Sequence, residues 1–408
     1  VSGLFLFGYV TVLLPVVLYT GSLALITMFD LNISIWIVVS AIGLLGSSYA
    51  IFGGLKSVAV SDTLNGIGLL IGGLMIPVLA LVSLGNGSFF EGISVLGTEK
   101  PEYLRVLAQQ NLEGKKVSVP WPTLLTGMMF IQLFYWSTNQ VIVQRAMAAK
   151  SLAEGQKGVL FASAMKLVGP LMLCLPGIIA LHMPDLFIDK QDQVYGAIVR
   201  HVLPDWSLGL FAAVLMGSIL SSFNSALNSA STLFSIQFYK GYINKKANGS
   251  MIVSAGKKFG IALALTSMVI APLLSELDSI FQYLQKVNGI YSVPIVAIFL
   301  LGILTKHIPS SGAKVGMIVG FVSYAYFVFF PVDGLHWLHM YFISFTWSVM
   351  VMLLFGYLKP KTQEEIEKSD ERNPAPVDMT PWPKAKEASI GILSTTVIIY
   401  LLLSLAST

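Results

Sequence analysis

The run of residues 208–234 contains no charged residue and is long enough to cross a lipid bilayer as one helix. Hydroxyl and amide side chains recur in it at steps of three and four, which places them on one face of that helix. They are Ser218, Ser221, Ser222, Ser225, Asn228, Ser229 and Thr232. Unpaired polar groups are costly in hydrocarbon, so this face must contact other helices or a water-filled cavity. Two interpretations stay open here: hydrogen bonding between helices, and a site for a small hard cation such as sodium, which prefers oxygen ligands.

The composition is that of an integral membrane protein. Of 408 residues, 55% are hydrophobic and only 11% are charged, against roughly a quarter charged in a soluble protein, and the mean hydropathy is +0.76. Hydropathy predicts eleven spans, at residues 3–28, 33–53, 58–84, 122–146, 158–182, 206–238, 258–275, 279–304, 313–331, 336–358 and 388–407. Lysine-rich loops alternate with acidic loops, and the positive-inside rule makes the lysine-rich loops cytoplasmic. The first residue then lies inside the cell and the last outside.

The residue content argues against several function classes. Cys174 is the single cysteine, so no disulfide forms within the chain, and five scattered histidines offer no metal-ligand spacing. No Ser–His or His/Glu arrangement lies at predicted membrane depth, which argues against an enzyme. A net charge of +4 gives no reason to expect a nucleic-acid partner. The chain begins at Val1 without an initiator methionine, and we interpret it as a fragment or processed chain.

Polar side chains within the predicted spans are candidates for a binding site. Lys166 lies about 12 Å along its helix from the cytoplasmic end, so it either reaches back to the interface or faces a cavity. Gln285 and Gln132 carry amides that both donate and accept hydrogen bonds, as the hydroxyls of a sugar or polyol require. Tyr135 follows Gln132 by three residues, and an aromatic ring beside polar groups is typical of sugar sites.

Asp62 and Arg145 are opposite charges at the same predicted depth, the cytoplasmic boundary of the membrane. Each alone is explained as a solvated charge at the end of a span. Together they allow a second interpretation, an ion pair that closes the inner side of a transport pathway, with the carboxylate available to a departing cation.

Several short stretches are more specific than a generic membrane pattern. They are YAIFGGLKS at 49–57, SDT at 61–63, YWSTNQ at 135–140, QR at 144–145, AAKS at 148–151, SS at 221–222, LNS at 227–229, FQYLQ at 281–285, GI at 302–303 and GA at 312–313. Together they resemble the sodium/solute symporter family, and within it the sodium–sugar branch, from Val1 to about Leu358. The resemblance implies the LeuT-type fold, in which two inverted five-helix repeats form a site near mid-membrane.

We therefore expect an all-α integral membrane protein of this fold, with about eleven transmembrane helices present and the N-terminal helices of the first repeat missing. Placed on the fold, the chain divides into six parts. These are residues 1–84, the remainder of the first repeat with three helices; 85–120, an extracellular loop with a short surface helix at 101–111; 121–305, the second repeat with five helices; 306–358, two peripheral helices; 359–387, a cytoplasmic linker; and 388–408, a peripheral C-terminal helix.

The resemblance also implies roles for the residues named above. Sodium is bound by the hydroxyls of Ser221 and Ser222 and by the carbonyl of Ser218. The solute is bound by Gln132, Tyr135, Lys166, Ser225 and Gln285, with Tyr135 as an inner lid. Phe281 forms part of the outer gate, and Asp62 and Arg145 lie at the inner gate on the sodium exit route. Gln132 stands where the galactose transporters of the family carry asparagine, which bears on the sugar that fits.

The function that follows is secondary active transport across the plasma (inner) membrane by a multi-pass protein. Inward sodium flux is coupled to uptake of a monosaccharide or polyol by alternating access, with sodium as the co-transported ion and no enzymatic activity. The partners are the small-molecule solute and the lipid bilayer, while the oligomeric state stays open. One alternative is the same scaffold carrying another solute, such as sialic acid or proline, although the lack of a mid-span arginine favours a neutral ligand. The other is a solute sensor that does not transport.

Overall fold

The structure, a computed structural model, describes the backbone of residues 2–104, 119–186, 188–370 and 377–406. Side chains are described over the same ranges except at residues 49–62, 102, 368–370 and 403–406. Within this part of the chain every regular element is a helix, apart from one isolated parallel bridge between Ser151 and Asp378. The prediction of an all-α protein is confirmed.

The helices are numbered here in chain order. They are α1 Ser2–Phe29, α2 Ile35–Leu84, α3 Phe89–Thr98, α4 Leu124–Ser137, α5 Gln140–Met147, α6 Leu152–Lys166, α7 Gly169–Ala180, α8 Val194–Val202, α9 Asp205–Ile243, α10 Gly249–Glu276, α11 Ile280–Leu304, α12 Ser310–Phe329, α13 His339–Leu358, α14 Gln363–Asp370 and α15 Ala385–Ala406. Wider π-helical turns occur within three of them, at Tyr9–Leu13, Leu124–Met128 and Phe234–Ile243.

Each predicted span coincides with an apolar helix. Eight helices in the described residues are long and apolar enough to cross a membrane: α1, Thr63–Leu84 of α2, α9, α10, α11, α12, α13 and Ala385–Leu402 of α15. A ninth span is formed by α6 and α7 together, which meet at a break with a bend of 44°. The predicted spans at 33–53 and 122–146 correspond to the shorter apolar helices Ile35–Ser48 and Leu124–Ser137.

Helix α2 covers two predicted spans without the turn that the sequence places between them. Its backbone is helical from Ile35 to Leu84. Fifty residues would rise about 75 Å in a straight helix, more than twice the thickness of the hydrocarbon core. The loop that the sequence predicts between residues 53 and 58 is therefore helical in the structure. The side chains of residues 49–62 lie outside the described part, so the depth of this segment stays a prediction.

The described chain packs into two compact units. Apart from the chain ends, the first unit contains residues 2–105 and 164–284, and the second contains residues 106–163 and 285–404. In the first unit α9 packs against α1, α2 and α10. A Cβ added to Gly68 of α2 would lie only 2.8 Å from Val214 of α9, and one added to Gly72 would lie only 2.6 Å from Phe211. Glycine at these two positions therefore permits the close approach of the two helices, as at many membrane helix interfaces.

Polar loops close one end of the first unit. The Lys190 ammonium donates to the carbonyl of Ser275 at 2.7 Å, and the amide of Gln191 donates to the carbonyl of Asp278 at 2.9 Å. The Asp192 carboxylate accepts from the backbone N–H of Ile280 at 3.3 Å. Burial raises the pKa of this carboxyl, partly offset by that hydrogen bond and by the nearby Lys190. The acidic loops predicted to be extracellular are thus joined to the start of α11.

In the second unit α12 and α13 form the most extensive helix pair. The hydroxyl of Ser348 on α13 donates to the backbone carbonyl of Gly316 on α12 at 2.7 Å. Tyr324 and Tyr341 are buried side by side, with ring centroids 4.8 Å apart in an edge-to-face arrangement. Gly289 of α11 lies directly against Tyr324, because a Cβ at this position would overlap the tyrosine ring. Small residues and aromatic rings together fix the spacing of α11, α12 and α13.

The two long loops contain regular structure. A surface helix is expected at 101–111; the structure has a 3₁₀ turn at Pro101–Leu104, and residues 105–111 lie outside the described residues. The same loop contains helix α3, Phe89–Thr98, which begins at a cap: the Ser88 hydroxyl accepts from the N–H of Glu91, whose carboxylate lies in the first turn of α3. In the linker, the N–H of Leu152 donates to the carbonyl of Asp378 at 2.9 Å and the N–H of Trp382 donates to Gln156 Oε1 at 2.7 Å. The linker is therefore bound to the start of α6.

Candidate functional site

The hydroxyl stripe lies in the middle of α9, and burial varies along it. Ser222 is exposed and Ser221 is half-buried, whereas Ser225 is buried. The half-buried Ser218 donates its hydroxyl proton to the carbonyl of Val214 at 3.1 Å. Its oxygen lone pairs remain available to a further donor or to a cation. The stripe is therefore open at Ser221 and Ser222, enclosed at Ser225 and Ser229, and open again at Thr232.

Asn224 lies at the level where α9 becomes enclosed. Residues 223–227 are all buried, so every face of the helix is covered there. Asn224 is 0% exposed, and neither its Oδ1 nor its Nδ2 has a hydrogen-bond partner among the described residues. The hydroxyl of Ser229, also 0% exposed, is in the same situation. Buried polar atoms without partners are rare in native proteins and require an explanation such as an ion, a water molecule or a functional role.

A second asparagine contacts the stripe from the neighbouring helix α2. A Cβ added to Gly217 of α9 would collide with the amide of Asn65, so this amide lies directly against the backbone of α9 beside Ser218. Asn65 itself is not without a partner. An amide oxygen is a hard ligand of the kind that the serine hydroxyls also provide. The α2–α9 contact therefore adds polar atoms to the segment that was predicted to bind sodium.

Lys166 is the last residue of α6, where the span breaks. Beyond it the backbone is held by tighter i+3 hydrogen bonds, from Leu167 to Ala164 and from Val168 to Met165, each at 3.1 Å. Pro170, in the first turn of α7, cannot donate a backbone hydrogen bond to restore the regular ladder. The Lys166 side chain is exposed and is not without a partner. A broken span is the feature that transporter folds use to build a solute or ion site, so the structure places Lys166 at a chemically suitable position.

Two predicted gate residues, Asp62 and Phe281, belong to the first unit. Asp62 lies within the continuous helix α2, and its side chain is outside the described residues. Phe281 is 45% exposed in the first turn of α11. Two residues later, the hydroxyl of Tyr283 donates to the carbonyl of Thr11 at 2.8 Å, within the π-helical turn of α1. In this π-helical turn a carbonyl of α1 is available to the Tyr283 hydroxyl, and the hydrogen bond connects the start of α11 to α1.

In the second unit, α4 carries Gln132 and Tyr135 on its exposed side. Gln132 Oε1 accepts a hydrogen bond from Trp136 Nε1 at 3.0 Å, which fixes the amide beside the indole ring. Tyr135 and Trp136 are each 38% exposed and meet edge to face, with centroids 5.4 Å apart. The guanidinium of Arg145 on α5 lies within electrostatic range of the Tyr135 hydroxyl. The structure thus brings a predicted inner lid and a predicted inner-gate residue close together.

Gln285 is held from both sides in the second unit. Its side chain is 5% exposed, and its Nε2 lies 4.0 Å from the sulfur of Met128, one turn before Gln132 on α4. Its backbone carbonyl accepts a hydrogen bond from the hydroxyl of Tyr341 on α13. Met128 closes the π-helical turn of α4, and such turns are frequent at functional sites. A weak sulfur acceptor leaves most of the hydrogen-bonding capacity of the Gln285 amide unused.

The predicted site residues fall into two sets, one in each unit. Ser218, Ser221, Ser222, Ser225, Lys166 and Phe281 belong to the first unit, together with the backbone of Asp62. Gln132, Tyr135, Arg145 and Gln285 belong to the second. Within the first set the serines share one helix. Within the second, Tyr135 approaches Arg145, and Gln285 contacts the helix that carries Gln132.

The sequence interpretation missed three polar residues near these sets. Asn224 stands one residue before Ser225, and Asn65 lies three residues after Asp62, in stretches where the pattern favoured hydroxyl groups. The third is Lys286, which lines a cavity of about 280 Å³ in the second unit with Tyr324, Trp337 and other residues of α12 and the following loop. Its signal was visible as a second intramembrane charge directly after Gln285. In the described part of the chain, no group of three or more His, Cys, Asp or Glu residues is arranged to hold a metal ion.

Comparisons with known proteins show which family the chain belongs to. Residues 1–320 match the model of the family described as "Sodium:solute symporter family". An uncharacterized symporter of Escherichia coli (strain K12), YidK, is 42% identical over 397 residues, which cover 95% of this chain and 68% of that protein. A sodium/glucose cotransporter of Vibrio parahaemolyticus is 32% identical over 80% of this chain and 62% of its own length. Sodium/glucose cotransporter 1 of Ovis aries is 29% identical over 81% of this chain and 56% of its own length.

A solved structure shares the fold. It is described as the substrate-bound outward-open state of a Na⁺-coupled sialic acid symporter, and it superposes with a TM-score of 0.72 over 89% of this chain and 74% of the other, at 20% identity. The LeuT-type fold predicted from the sequence is therefore confirmed, as is a multi-pass protein of the plasma membrane. The chain spans between 56% and 68% of the length of the three curated relatives named above. The chain belongs to the sodium:solute symporter family, whose members are transporters that carry sodium with a small solute and are not enzymes.

Proposed function

We propose that the chain acts in sodium-coupled uptake of a monosaccharide or polyol, by alternating access around a site near mid-membrane. Sodium and solute each favour the same outward-facing state, so each raises the affinity of the other by the same factor. The membrane potential contributes about 2.3 kcal/mol per charge per 100 mV to this cycle. Family membership supports the class of activity, and the named sodium/glucose cotransporters support the class of solute.

The observation that carries the proposal is the oxygen-rich middle of α9. Ser218, Ser221 and Ser222 lie in a helix without a charged residue from 206 to 239, at the point where it passes from open to fully enclosed. We assign the hydroxyls of Ser221 and Ser222 and the carbonyl of Ser218 to sodium. The hydroxyl of Ser218 already bonds Val214, so its carbonyl and the free lone pairs are the groups left for an ion. The Asn65 amide packed beside Ser218 supports this assignment, because it adds a further hard oxygen.

The solute site is proposed from amides and one cation. Gln132, Gln285 and Ser225 supply neutral donors and acceptors, and Lys166 supplies an ammonium group at the break of its span. Tyr135 and its edge-to-face partner Trp136 offer exposed aromatic surface for the apolar face of a sugar ring. Phe281 serves the outer gate in this proposal, and Asp62 with Arg145 serves the inner gate. The division into repeats at residues 1–84 and 121–305 is proposed with it.

The sodium assignment is tested by paired substitutions in the full-length protein. Ser221→Ala combined with Ser222→Ala removes two oxygen ligands, and we expect the sodium concentration for half-maximal uptake to rise at least about tenfold, which corresponds to 1.4 kcal/mol. Ser267→Ala on α10 is the control, because this serine also lies in a membrane-spanning helix but outside the predicted site, and its hydroxyl bonds the carbonyl of Leu263 at 2.8 Å. The control should keep the normal sodium dependence. Unchanged sodium dependence in the double variant would refute the ion assignment.

The competing solute class is a sugar acid, of which sialic acid is the example transported by the structural neighbour. Lys166 is the observation that favours it, since an ammonium at a helix break suits a carboxylate. Uptake into proteoliposomes, with a panel of labelled neutral sugars, polyols and sugar acids and with or without an inward sodium gradient, decides between the two. Sodium-stimulated uptake of the neutral members supports the proposal. Solute binding without any uptake would support a sensor instead.

A further inference from the structure

The segment of residues 240–258, which includes the end of α9, the loop after it and the first turns of α10, is strongly and uniformly basic. Its lysines are Lys240, Lys245, Lys246, Lys257 and Lys258. No acidic residue occurs between Asp205 and Glu276, so this end of the helix pair has no carboxylate of its own to balance the charge. All five side chains are exposed, and in the described residues none of them forms an ion pair. By the positive-inside rule the cluster faces the cytoplasm.

A cavity of about 650 Å³ opens within this basic region, inside the first unit. It is lined by the end of α9 and the first turns of α10, including Phe234, Tyr239, Ser250, Ser254, Lys258 and Phe259. Phe234 and Phe259 stack almost parallel, 4.1 Å apart with an interplanar angle of 7°, and form an apolar wall. Its size falls within the range of small-molecule sites.

The lining of the cavity is divided along α10 by the helical period. Ser250, Ser254 and Lys258 recur every four residues and form a polar column with the ammonium at its end. The column beside it, Met251, Ala255 and Phe259, is apolar. A ligand that fits both columns carries an anionic, hydrogen-bonding group next to a hydrocarbon group.

Exposed apolar side chains occur in the same segment: Met251 lines the cavity, and Tyr242 and Ile243 follow the lining residue Tyr239 at the end of α9. Tyr242 is 80% exposed, Ile243 is 67% exposed and Met251 is 47% exposed. Such side chains next to five lysines are unfavourable in water but suit the boundary between lipid headgroups and acyl chains. A soluble phosphate compound would leave this apolar rim uncovered, whereas a phospholipid covers it.

We propose that this cavity binds the headgroup of an acidic phospholipid of the cytoplasmic leaflet, with the phosphate at Lys258, the headgroup hydroxyls at Ser250 and Ser254, and the acyl chains along the Phe234–Phe259 wall. Lys257 and the loop lysines add a longer-range attraction to the anionic leaflet. The assignment does not depend on which solute is transported or on where sodium binds. It predicts a lipid that stays with the protein through purification in detergent.

The test compares retention of phosphatidylglycerol and phosphatidylcholine by the purified full-length protein, using native mass spectrometry at equal lipid concentrations. We expect preferential retention of phosphatidylglycerol. Each lysine near an anionic surface contributes a factor of about five, so Lys257→Gln with Lys258→Gln should weaken phosphatidylglycerol binding about 25-fold. The control is Lys384→Gln with Lys386→Gln at the start of α15, which removes the same charge from two equally exposed lysines outside the cavity. The control should retain the lipid as the wild type does.

A second variant separates the cavity from general electrostatic attraction. Ser254→Trp fills the cavity from its polar column without changing the charge, and we expect phosphatidylglycerol retention to fall at least tenfold. Retention equal to wild type in this variant, or equal losses in the two lysine pairs, would overturn the proposal. Displacement of bound phosphatidylglycerol by inorganic phosphate at equal concentration would also overturn it, because it would identify a site for a soluble anion.

Discussion

The unpaired amide of Asn224 makes a quantitative prediction. Phe223 and Ala226 on either side are also buried, so the amide is surrounded by protein and, in the described structure, bonds to none of it. Burying an amide or hydroxyl without a hydrogen bond costs about 1–3 kcal/mol in protein mutational data. We therefore expect Asn224→Leu, which keeps the branched shape of the side chain and removes the polar atoms, to stabilise the sodium-free protein by about 1–3 kcal/mol.

The matched control lies one turn further along the same helix. Asn228 is half-buried and lines a groove between α9 and α10 of about 380 Å³, where its amide can be hydrated. Asn228→Leu makes the same chemical change but relieves no desolvation cost. We expect its effect on stability to be within about 0.5 kcal/mol, as for most substitutions away from special features.

The assay is thermal unfolding of both variants in detergent without sodium, followed by the same measurement in sodium. Asn224→Leu should unfold at a higher midpoint than wild type, and Asn228→Leu should not. A midpoint for Asn224→Leu at or below that of wild type would show that the amide has a partner in solution, such as bound water, and would refute the reasoning. A sodium-dependent rise that persists in wild type and disappears in Asn224→Leu would place the amide next to the ion.

Three further predictions concern packing, pH and the linker. Gly289→Ala should destabilise the protein by about 1–3 kcal/mol, because the new Cβ overlaps the buried Tyr324 ring; an unchanged unfolding midpoint would contradict this. Burial raises the pKa of Asp192 in the folded state, so its charged form is penalised and stability is lost as pH rises through that pKa. Asp192→Asn should remove this loss, which begins above the ordinary aspartate pKa of about 4, and identical midpoint–pH curves would show that it is absent. Gln156→Ala removes the acceptor of the Trp382 N–H, a hydrogen bond worth about 0.5–1.5 kcal/mol. Limited proteolysis should therefore cut the linker up to about tenfold faster than in the wild type. Equal rates would mean that this hydrogen bond does not hold the linker.

The class of fold was predictable because the membrane imposes strong constraints on sequence. Every predicted span coincides with an apolar helix, since backbone groups in hydrocarbon must be satisfied within the helix itself. Local deviations were less visible. The continuous helix α2 runs through a lysine and glycine segment that reads as a turn, and the broken span at Lys166 reads as one uninterrupted apolar run. Whether a helix continues or breaks depends on the packing around it and on Pro170, which hydropathy does not register.

The candidate site was predictable by residue type but not by environment. Periodicity placed the serines on one helix, and the structure agrees, yet burial differs sharply between Ser222 and Ser225. Asn65 could not be placed beside α9 from sequence, because the approach of its amide to this helix depends on the glycine at position 217. The hydrogen bond between Gln132 and Trp136 was within reach, since residues four apart share a helix face.

The two halves of α9 illustrate how one amphipathic pattern can serve two purposes. In its middle, polar side chains are enclosed and some lack partners, an arrangement that costs stability and that proteins retain where a ligand or a conformational change requires it. Towards its end, Phe234 and Tyr239 turn the same helix into one wall of a basic cavity with an apolar rim. If the Asn224 amide is an unrelieved cost in the sodium-free state, removing it should stabilise the protein and impair sodium coupling together. An Asn224→Leu variant that gained stability without any loss of sodium-stimulated uptake would mean that this amide has no part in transport, and the serine hydroxyls of α9 would have to account for sodium without it.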